Sequence, residues 1–344
     1  MDSKPADTSV GPARTILVTG VSRDLGRRFA RGLAARGPAG GVQRVIGVDA
    51  VPPRGDIGNF SFVRADIRNP VIAKIIAREA VDTVVHMSVI ATPGRVGGRG
   101  TMKELNVIGT MQLLAACAGA EGLRRLVVKS TTTVYGASSR DPAMFTEDMT
   151  ARKAPRSGYA KDVSEIEGYV RGFARRRPDV ALTTLRCANV IGPHVRSPLT
   201  AYFKMPVIAT VLGFDPRLQF LHEQDLWSVL TLAALGDARG TFNVAGDGVM
   251  TLTQAIRRSG RPSVALPAPA MGGLGSMLRR ARLADFSPEQ IALLTYGRGV
   301  DTRRMRTELG FEPKFPTEAA FADFADSLPA PFDPVGSVLG VRGG

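Results

Sequence analysis

The sequence predicts an α/β fold: a doubly wound parallel sheet with helices on both faces, followed by a smaller and less regular lobe. Two patterns carry this expectation. Short apolar, β-branched runs alternate with helical stretches through the first half of the 344-residue chain. After Asn189 the alternation gives way to isolated apolar runs and prolines (Pro193, Pro198, Pro206, Pro216, Pro262, Pro267, Pro269). Hydrophobic residues make up 44% of the chain, enough to build a core and to exclude global disorder.

Taken in order, the predicted strands are Thr15–Thr19, Arg44–Asp49, Ser61–Arg64, Thr83–His86, Leu126–Ser130 and Ala181–Cys187. They are short and continuously apolar, as strands covered on both faces are. Between them the spacing predicts helices over Leu25–Arg36, Pro70–Glu79, Met102–Gly119 and Tyr159–Arg175. In the third of these, Leu105, Ile108, Gln112 and Ala115 recur at helical spacing, with Leu113 and Leu114 beside them. Thr241–Val244 is one more strand-like run and is expected to return to the main sheet, which makes the second lobe discontinuous in sequence.

The formal charge of +14 raises the question of a nucleic-acid partner. Against it, Arg outnumbers Lys 37 to 8 alongside abundant Ala and Gly, the mark of codon bias. Basic runs such as Arg175–Arg177 and Arg303–Arg304 are scattered, and no basic stripe is interleaved with aromatics. The excess reads as a basic coat around a site for a dinucleotide and a second anion, with no nucleic-acid partner. No apolar run approaches the ~18 residues of a membrane span. The first thirteen residues are polar and include Asp2 and Asp7, unlike a secretory signal. Cys117 and Cys187 lie in apolar stretches and suit buried, reduced thiols in a cytoplasmic protein.

Chemistry first shows at Ile16–Gly26, ILVTGVSRDLG: a buried strand, a turn at Gly20, and Gly26 in the opening turn of a helix. Such a turn lets backbone N–H groups and a helix N-terminus face a pyrophosphate. The following strand, Arg44–Asp49, ends in Asp49. A carboxylate there accepts both ribose hydroxyls of NAD and repels the 2′-phosphate of NADP. Glycine turn, helix, apolar strand and terminal acid in succession point to NAD as cofactor.

The motifs Thr19–Gly26, Asp49, Ala65–Asp66–Ile67, Val84–His86, Asn106–Val107–Ile108–Gly109–Thr110 and Ser130–Gly136 (STTTVYG) stand in the order of a known family. Leu185–Arg186, Asn189, Gly192–Pro193, Phe220–Asp225, Thr241–Val244 and Leu309–Phe311 continue the match, which runs from about residue 14 to 315. The chain resembles the extended short-chain dehydrogenases/reductases of the NAD-dependent epimerase/dehydratase family, especially actinobacterial members labelled UDP-glucose 4-epimerase-like. The resemblance implies a Rossmann-type domain, residues 14–190 plus 217–246, and a C-terminal substrate lobe, 191–216 plus 247–327; the ends, 1–13 and 328–344, are expected to be flexible. It implies Gly20 and Gly26 at the pyrophosphate, Asp49 at the adenosine ribose, and Asp66 and Ile67 beside adenine. Ser22, Arg23, Leu25, Met87 and Asn106 complete the expected cofactor-binding set. A homodimer through the Met102–Gly119 and Tyr159–Arg175 helices is also implied. One departure stands out, because the family's central turn glycine falls at Arg23, where side chains crowd the phosphates and a positive φ would favour glycine.

In this family a Ser/Thr, a Tyr and a Lys four residues after the Tyr carry out proton transfer at a sugar hydroxyl. The Lys ammonium draws the Tyr pKa from about 10 toward neutrality, without which a phenol is a poor base. The resemblance places Thr131 and Tyr159 as the catalytic pair, with Glu167 matching a family acid and fixing the register. The Lys position falls on Val163; Lys161, two residues after Tyr159, lies on the wrong helix face.

The resemblance also places Asn189 at a nucleotide-sugar, where the alternative is a loop Asn capping the next turn. The family's pyrophosphate Arg, four residues before its His, lands on Leu218, and Arg217 one place earlier is the nearest substitute. Arg298 lies too close to Asp301 to be the second such Arg. The acids of the 4,6-dehydratase subclass are replaced by Thr132 and Thr133, which speaks against that subclass. His86 is expected to be a packed neutral imidazole, and His194 and His222 show no metal-ligand spacing. Pro269–Arg282 is expected to form a lid. Two functional readings follow: an enzyme acting on a nucleotide-sugar or related polyol by transient hydride transfer, or a catalytically impaired NAD-binding sensor or scaffold.

Overall fold

The computed structural model describes residues 13–89, 91, 98–152, 155, 158–271 and 287–329; nearly all of both chain ends, and most of the segment expected to be a lid, lie outside them. The strands are β1 (Arg14–Thr19), β2 (Val42–Asp49), β3 (Ser61–Arg64), β4 (Thr83–His86), β5 (Arg125–Thr131) and β6 (Ala181–Cys187). They are followed by β7 (Asn189–Ile191), β8 (Ile208–Val211), β9 (Arg217–Leu218), β10 (Phe220–His222), β11 (Gly240–Val244), β12 (Met250–Thr251) and β13 (Ser263–Leu266). Helices are α1 (Asp24–Ala34), α2 (Val71–Arg78), α3 (Arg99–Lys103), α4 (Gly109–Ala118), α5 (Gly158–Arg176) and α6 (Pro198–Phe203). Then come α7 (Glu223–Leu235), α8 (Leu252–Ser259), α9 (Pro288–Tyr296), α10 (Arg303–Thr307) and α11 (Thr317–Asp326).

Seven strands form one parallel sheet in the order β11-β6-β5-β4-β1-β2-β3, a Rossmann-type arrangement. The order reverses between β4 and β1, which opens a crevice at the carboxyl ends of those strands, the place where such sheets bind ligands. Consecutive residues of β1 bury into opposite cores. Ile16 and Val18 pack with Phe29 and Leu33 of α1 and Leu226 and Leu230 of α7, whereas Leu17 packs with Leu113 of α4 and Ile166 and Phe173 of α5. All three β1 residues are fully buried, at roughly 1.5–3 kcal/mol per such side chain. That two-sided burial is why the strands read as unbroken apolar runs rather than alternating ones.

The expected helix over Met102–Gly119 is instead α3, a π turn over Glu104–Ile108, and α4. The π turn contains Asn106, whose fully buried amide donates to Asp162 Oδ2 of α5 at 3.4 Å. Single π turns of this kind set into helices are frequent at functional sites. A separate core of Leu199, Tyr202, Phe203, Phe220, Phe321 and Phe324 lies under the short pairs β7–β10, β9–β12 and β8–β13. Its rings meet edge to face, Phe203 and Phe321 at 4.9 Å between centroids. No helix among the described residues is long and apolar enough to cross a membrane.

Candidate active site

The β1–α1 turn is built for close approach. Gly20 has φ +84°, and a Cβ there would sit 3.1 Å from the Met87 backbone and the Ser88 nitrogen. At Gly26 a Cβ would collide with the Gly20 carbonyl, so helix and turn touch only because neither residue carries a side chain. Asp49 ends β2, and its Oδ2 accepts the Ser22 N–H at 3.0 Å, which fixes the carboxylate beside the turn with lone pairs remaining. Leu25 packs against the α1/α7 core, and Ile67 packs under Gly109 of α4. Asp66 is engaged by Arg68, whose Nη2 lies 2.6 Å from Oδ2; that hydrogen bond holds the carboxyl below its ordinary value. Asn106 is fully buried, with its amide donating to Asp162 of α5.

Behind the turn, a chain of hydrogen bonds has only one consistent proton assignment. Met87 N–H donates to Thr19 Oγ1 at 3.1 Å, and Thr19 Oγ1 meets His86 Nδ1 at 2.8 Å. His86 Nε2 meets Thr110 Oγ1 at 2.9 Å, and the Thr110 hydroxyl donates to the Asn106 carbonyl at 2.5 Å. With the Thr110 proton committed to that carbonyl, Nε2 must be the donor and Nδ1 the acceptor. Burial lowers the His86 pKa to about 4, so the ring is neutral, as expected.

Thr131 closes β5 opposite Cys187 of β6, and Tyr159 lies in the first turn of α5 within electrostatic reach of Cys187 and Arg23. Burial pushes the Tyr159 phenol above its ordinary value, and Arg23 opposes that rise. Val163, in the family's Lys position, is 1% exposed inside the core. Lys161 turns outward to Glu165 at 3.7 Å. Arg23 has φ −95° and ψ 151°, so the turn demands no left-handed residue there and an arginine fits without strain, contrary to the expectation of a positive φ. Its Nη1 donates to the Val89 carbonyl at 3.3 Å, which carries the side chain from the β1–α1 turn to the end of β4.

Two ion pairs hold α5 and the end of β5 in place, one half-exposed and one buried. Arg99 grips Asp162 through both Nη atoms at 2.5 Å and donates to the Gly158 carbonyl at 2.7 Å, next to Tyr159. Neither Arg99 nor Asp162 stood out in the sequence. Glu167 pairs with Arg186 Nη2 at 2.7 Å and accepts the Ser130 hydroxyl at 2.6 Å. Burial works against the Arg186 charge, but Glu167 outweighs it and raises the pKa. Arg186 also donates to the Tyr135 hydroxyl at 2.8 Å, and that hydroxyl donates to Asn243 of β11 at 2.7 Å. Tyr135 is therefore a structural residue. Cys117 and Cys187 are free and buried, with burial pushing their thiols up to about 12 and about 11.

On the substrate side, half-buried Asn189 opens β7 and caps no turn. Arg217 is exposed on β9; only its backbone takes part, its carbonyl accepting the Arg298 N–H at 3.1 Å. Arg298 is the guanidinium that reaches the turn after β5: Nε donates to the Gly136 carbonyl at 2.6 Å, and Nη1 lies 3.5 Å from both Thr132 Oγ1 and Thr133 Oγ1. Its offset from Asp301 concealed it, although a single Arg between two glycines, Gly297 and Gly299, signals a tightly threaded strap.

Known proteins place this geometry in context. An uncharacterized protein of Mycobacterium tuberculosis (strain H37Rv) is 48% identical over 315 residues, spanning 90% of this chain and 83% of its own length. A dTDP-glucose 4,6-dehydratase of Streptomyces niveus is 29% identical over 333 residues, 90% of this chain and 89% of its own. Among solved structures, MoeE5 in complex with UDP-glucuronic acid and NAD superposes with a TM-score of 0.70 at 20% identity, over 91% of this chain and 98% of that one. The UDP-glucose 4-epimerase of Thermotoga maritima with UDP-glucose gives 0.69 at 20% identity over the same shares. Both show the shared fold. Residues 16–245, from the first strand through β11, match the NAD dependent epimerase/dehydratase family, and the chain belongs to that family.

Proposed function

We propose that the protein is an NAD-dependent enzyme acting on a nucleotide-activated sugar or a related polyol by transient hydride transfer. What supports this reading is that Thr131 lies opposite Cys187 at the carboxyl end of β5, that Tyr159 lies within electrostatic reach of Cys187 and Arg23, and that Arg23 stands on the β1–α1 turn, at the strand after which the order reverses. The residues present fit the cofactor: Gly20 and Gly26 leave room that a Cβ would fill, and Asp49 is anchored beside them by the Ser22 amide. Gly20, Ser22 and Gly26 would face the pyrophosphate and Asp49 the adenosine ribose, while bound NAD would supply the hydride acceptor and donor. Thr131 orients the reacting hydroxyl, and Tyr159 holds or moves its proton. Arg23 supplies beside Tyr159 the positive charge that Val163 cannot. MoeE5 with UDP-glucuronic acid and the Thermotoga maritima epimerase with UDP-glucose, which share this fold, support this substrate class.

Val163 favours a second reading, an NAD-binding protein without turnover. Titration calorimetry with NAD⁺ and NADH, then turnover on UDP-, GDP- and dTDP-sugars, separates the two. Tyr159→Phe is expected to keep NAD affinity while lowering turnover by about 10²–10⁴-fold. NAD binding with no sugar turned over would sink the enzyme reading, and absence of NAD binding would sink both.

A further inference from the structure

Arg298 is only 7% exposed, yet no carboxylate among the described residues pairs with it. Its hydrogen bonds go to neutral oxygens alone: the Gly136 carbonyl at 2.6 Å and the two threonine hydroxyls at a long 3.5 Å. Burial lowers its pKa to about 10, with Asp141 opposing from a distance; the Asp141 carboxylate is itself occupied by the Ser138 N–H and hydroxyl, both at 2.7 Å. The contrast with Arg186 and Arg99 is plain, since each of those sits on a carboxylate. A guanidinium taken out of water without an anion is costly, and a ligand anion placed on it would offset that cost.

The strap that carries Arg298 is built to hold it. At Gly297, φ +73°, a Cβ would lie 2.8 Å from the Arg217 nitrogen and closer still to its carbonyl, so only glycine lets the chain run this close to β9. Beyond the arginine, Val300 N–H donates to Gln219 Oε1 at 2.8 Å, and Gly299 O accepts the Phe145 N–H at 2.9 Å. The side chain is thereby aimed at the 3₁₀ turn Thr132–Tyr135 that follows Thr131. Contacts of 3.1 Å (Thr131 Oγ1 to Thr133 Oγ1) and 3.5 Å (Thr133 Oγ1 to Arg298 Nη1) link it to the residue that orients the reacting hydroxyl.

We infer that Arg298 is the receptor for an anionic group on the sugar itself, a carboxylate on a carbon next to the reacting one, so that the substrate is a nucleotide-linked sugar acid. This rests on the reading of Thr131 as a substrate contact. An anion placed on Arg298 sits at the reacting end of the substrate, and a planar fork suits a carboxylate in two-point contact. Thr132 and Thr133, in place of the acids expected of a dehydratase, keep carboxylates away from that position.

Affinities of the NAD-loaded protein for UDP-glucuronate and UDP-glucose, which differ only in carboxylate against hydroxymethyl, test this directly. The acid is expected to bind about tenfold or more tighter than the neutral sugar. Arg298→Gln is expected to erase that preference with little change for the neutral sugar, and Arg298→Lys to retain part of it. Equal affinities in the wild type would overturn the inference while leaving the NAD-enzyme reading intact. Equal losses for both sugars in Arg298→Gln, at an unchanged melting temperature, would also overturn it by showing a positioning role. If Arg298→Gln does not fold, the wild-type preference and Arg298→Lys decide. Absence of NAD binding would instead remove the underlying functional reading.

Discussion

Acidification is expected to strip stability from this fold through one side chain, His86. The ring is 1% exposed, and burial lowers its pKa from 6.5 to about 4. Every proton around it is committed, from Met87 N–H through Thr19 to Nδ1, and from Nε2 through Thr110 to the Asn106 carbonyl. A second ring proton at Nδ1 would face the Thr19 hydroxyl proton. The unfolded chain takes up a proton as the pH falls through about 6.5, whereas the folded one waits until about 4. Between those values the unfolded state binds more protons, so stability is complete above pH 6.5 and declines as the pH falls. The loss is about 2 kcal/mol at pH 5 and about 3 kcal/mol at pH 4. Urea unfolding at pH 7, 6 and 5 measures it, with His86→Gln as the non-titrating comparison. Wild type is expected to lose about 2 kcal/mol more than the variant between pH 7 and pH 5. Parallel curves for the two proteins would refute the reasoning, as would an NMR titration of His86 near 6.5 in the folded state.

Gly26→Ala drives a methyl into the Gly20 carbonyl; calorimetry is expected to show loss of NAD binding, and chemical unfolding a penalty of about 1–3 kcal/mol. Glu167→Gln leaves the Arg186 charge buried and unpaired, so stability is expected to fall by about 3–5 kcal/mol, with an unchanged urea midpoint counting against a structural role for the pair. Arg23→Ala removes the charge that opposes the upward push of burial on Tyr159. Its phenol is expected to rise further and the ascending limb of the pH–rate profile, where the phenol must lose its proton to act as base, to move to higher pH; an unmoved limb would show that Arg23 does not act on Tyr159.

The parallel sheet could be read from the sequence because two-sided burial writes each strand as an apolar run, and β3, β4 and β6 appear where the pattern put them. Strand ends were harder: β2 begins at Val42, two residues early, because Gln43 and Arg44 are exposed and break the apolar pattern. The π turn could not be seen, since nothing local in 104–108 marks it, and the Asp162 that Asn106 meets within it is far away in sequence. The same limit hid Arg99 and Arg298. Both are arginines among glycines in a chain rich in each, and only tertiary placement distinguishes one on a carboxylate from one on neutral oxygens. The glycine turn with Asp49 was visible because its parts are close in sequence and fixed in spacing.

The two departures from the family pattern are better taken together than separately. Val163 in the Lys position removes a cation from one side of Tyr159, and Arg23 in the glycine position brings one to the other. Arg23 needs an extended backbone and an acceptor for its guanidinium; the turn gives φ −95°, and the Val89 carbonyl lies 3.3 Å away. Here Ser130, Glu167, Arg186, Tyr135 and Asn243 still lock the strand end that presents Thr131, and Arg99 still clamps the helix turn that presents Tyr159. The buried Glu167–Arg186 pair adds little net stability over apolar packing. These contacts fix the backbone that carries Thr131 and Tyr159. Under the proposed enzyme reading, Arg23 on the β1–α1 turn is the cation that opposes burial at Tyr159, but burial prevails and the phenol stays above its ordinary value, so the turn offsets only part of what burial does.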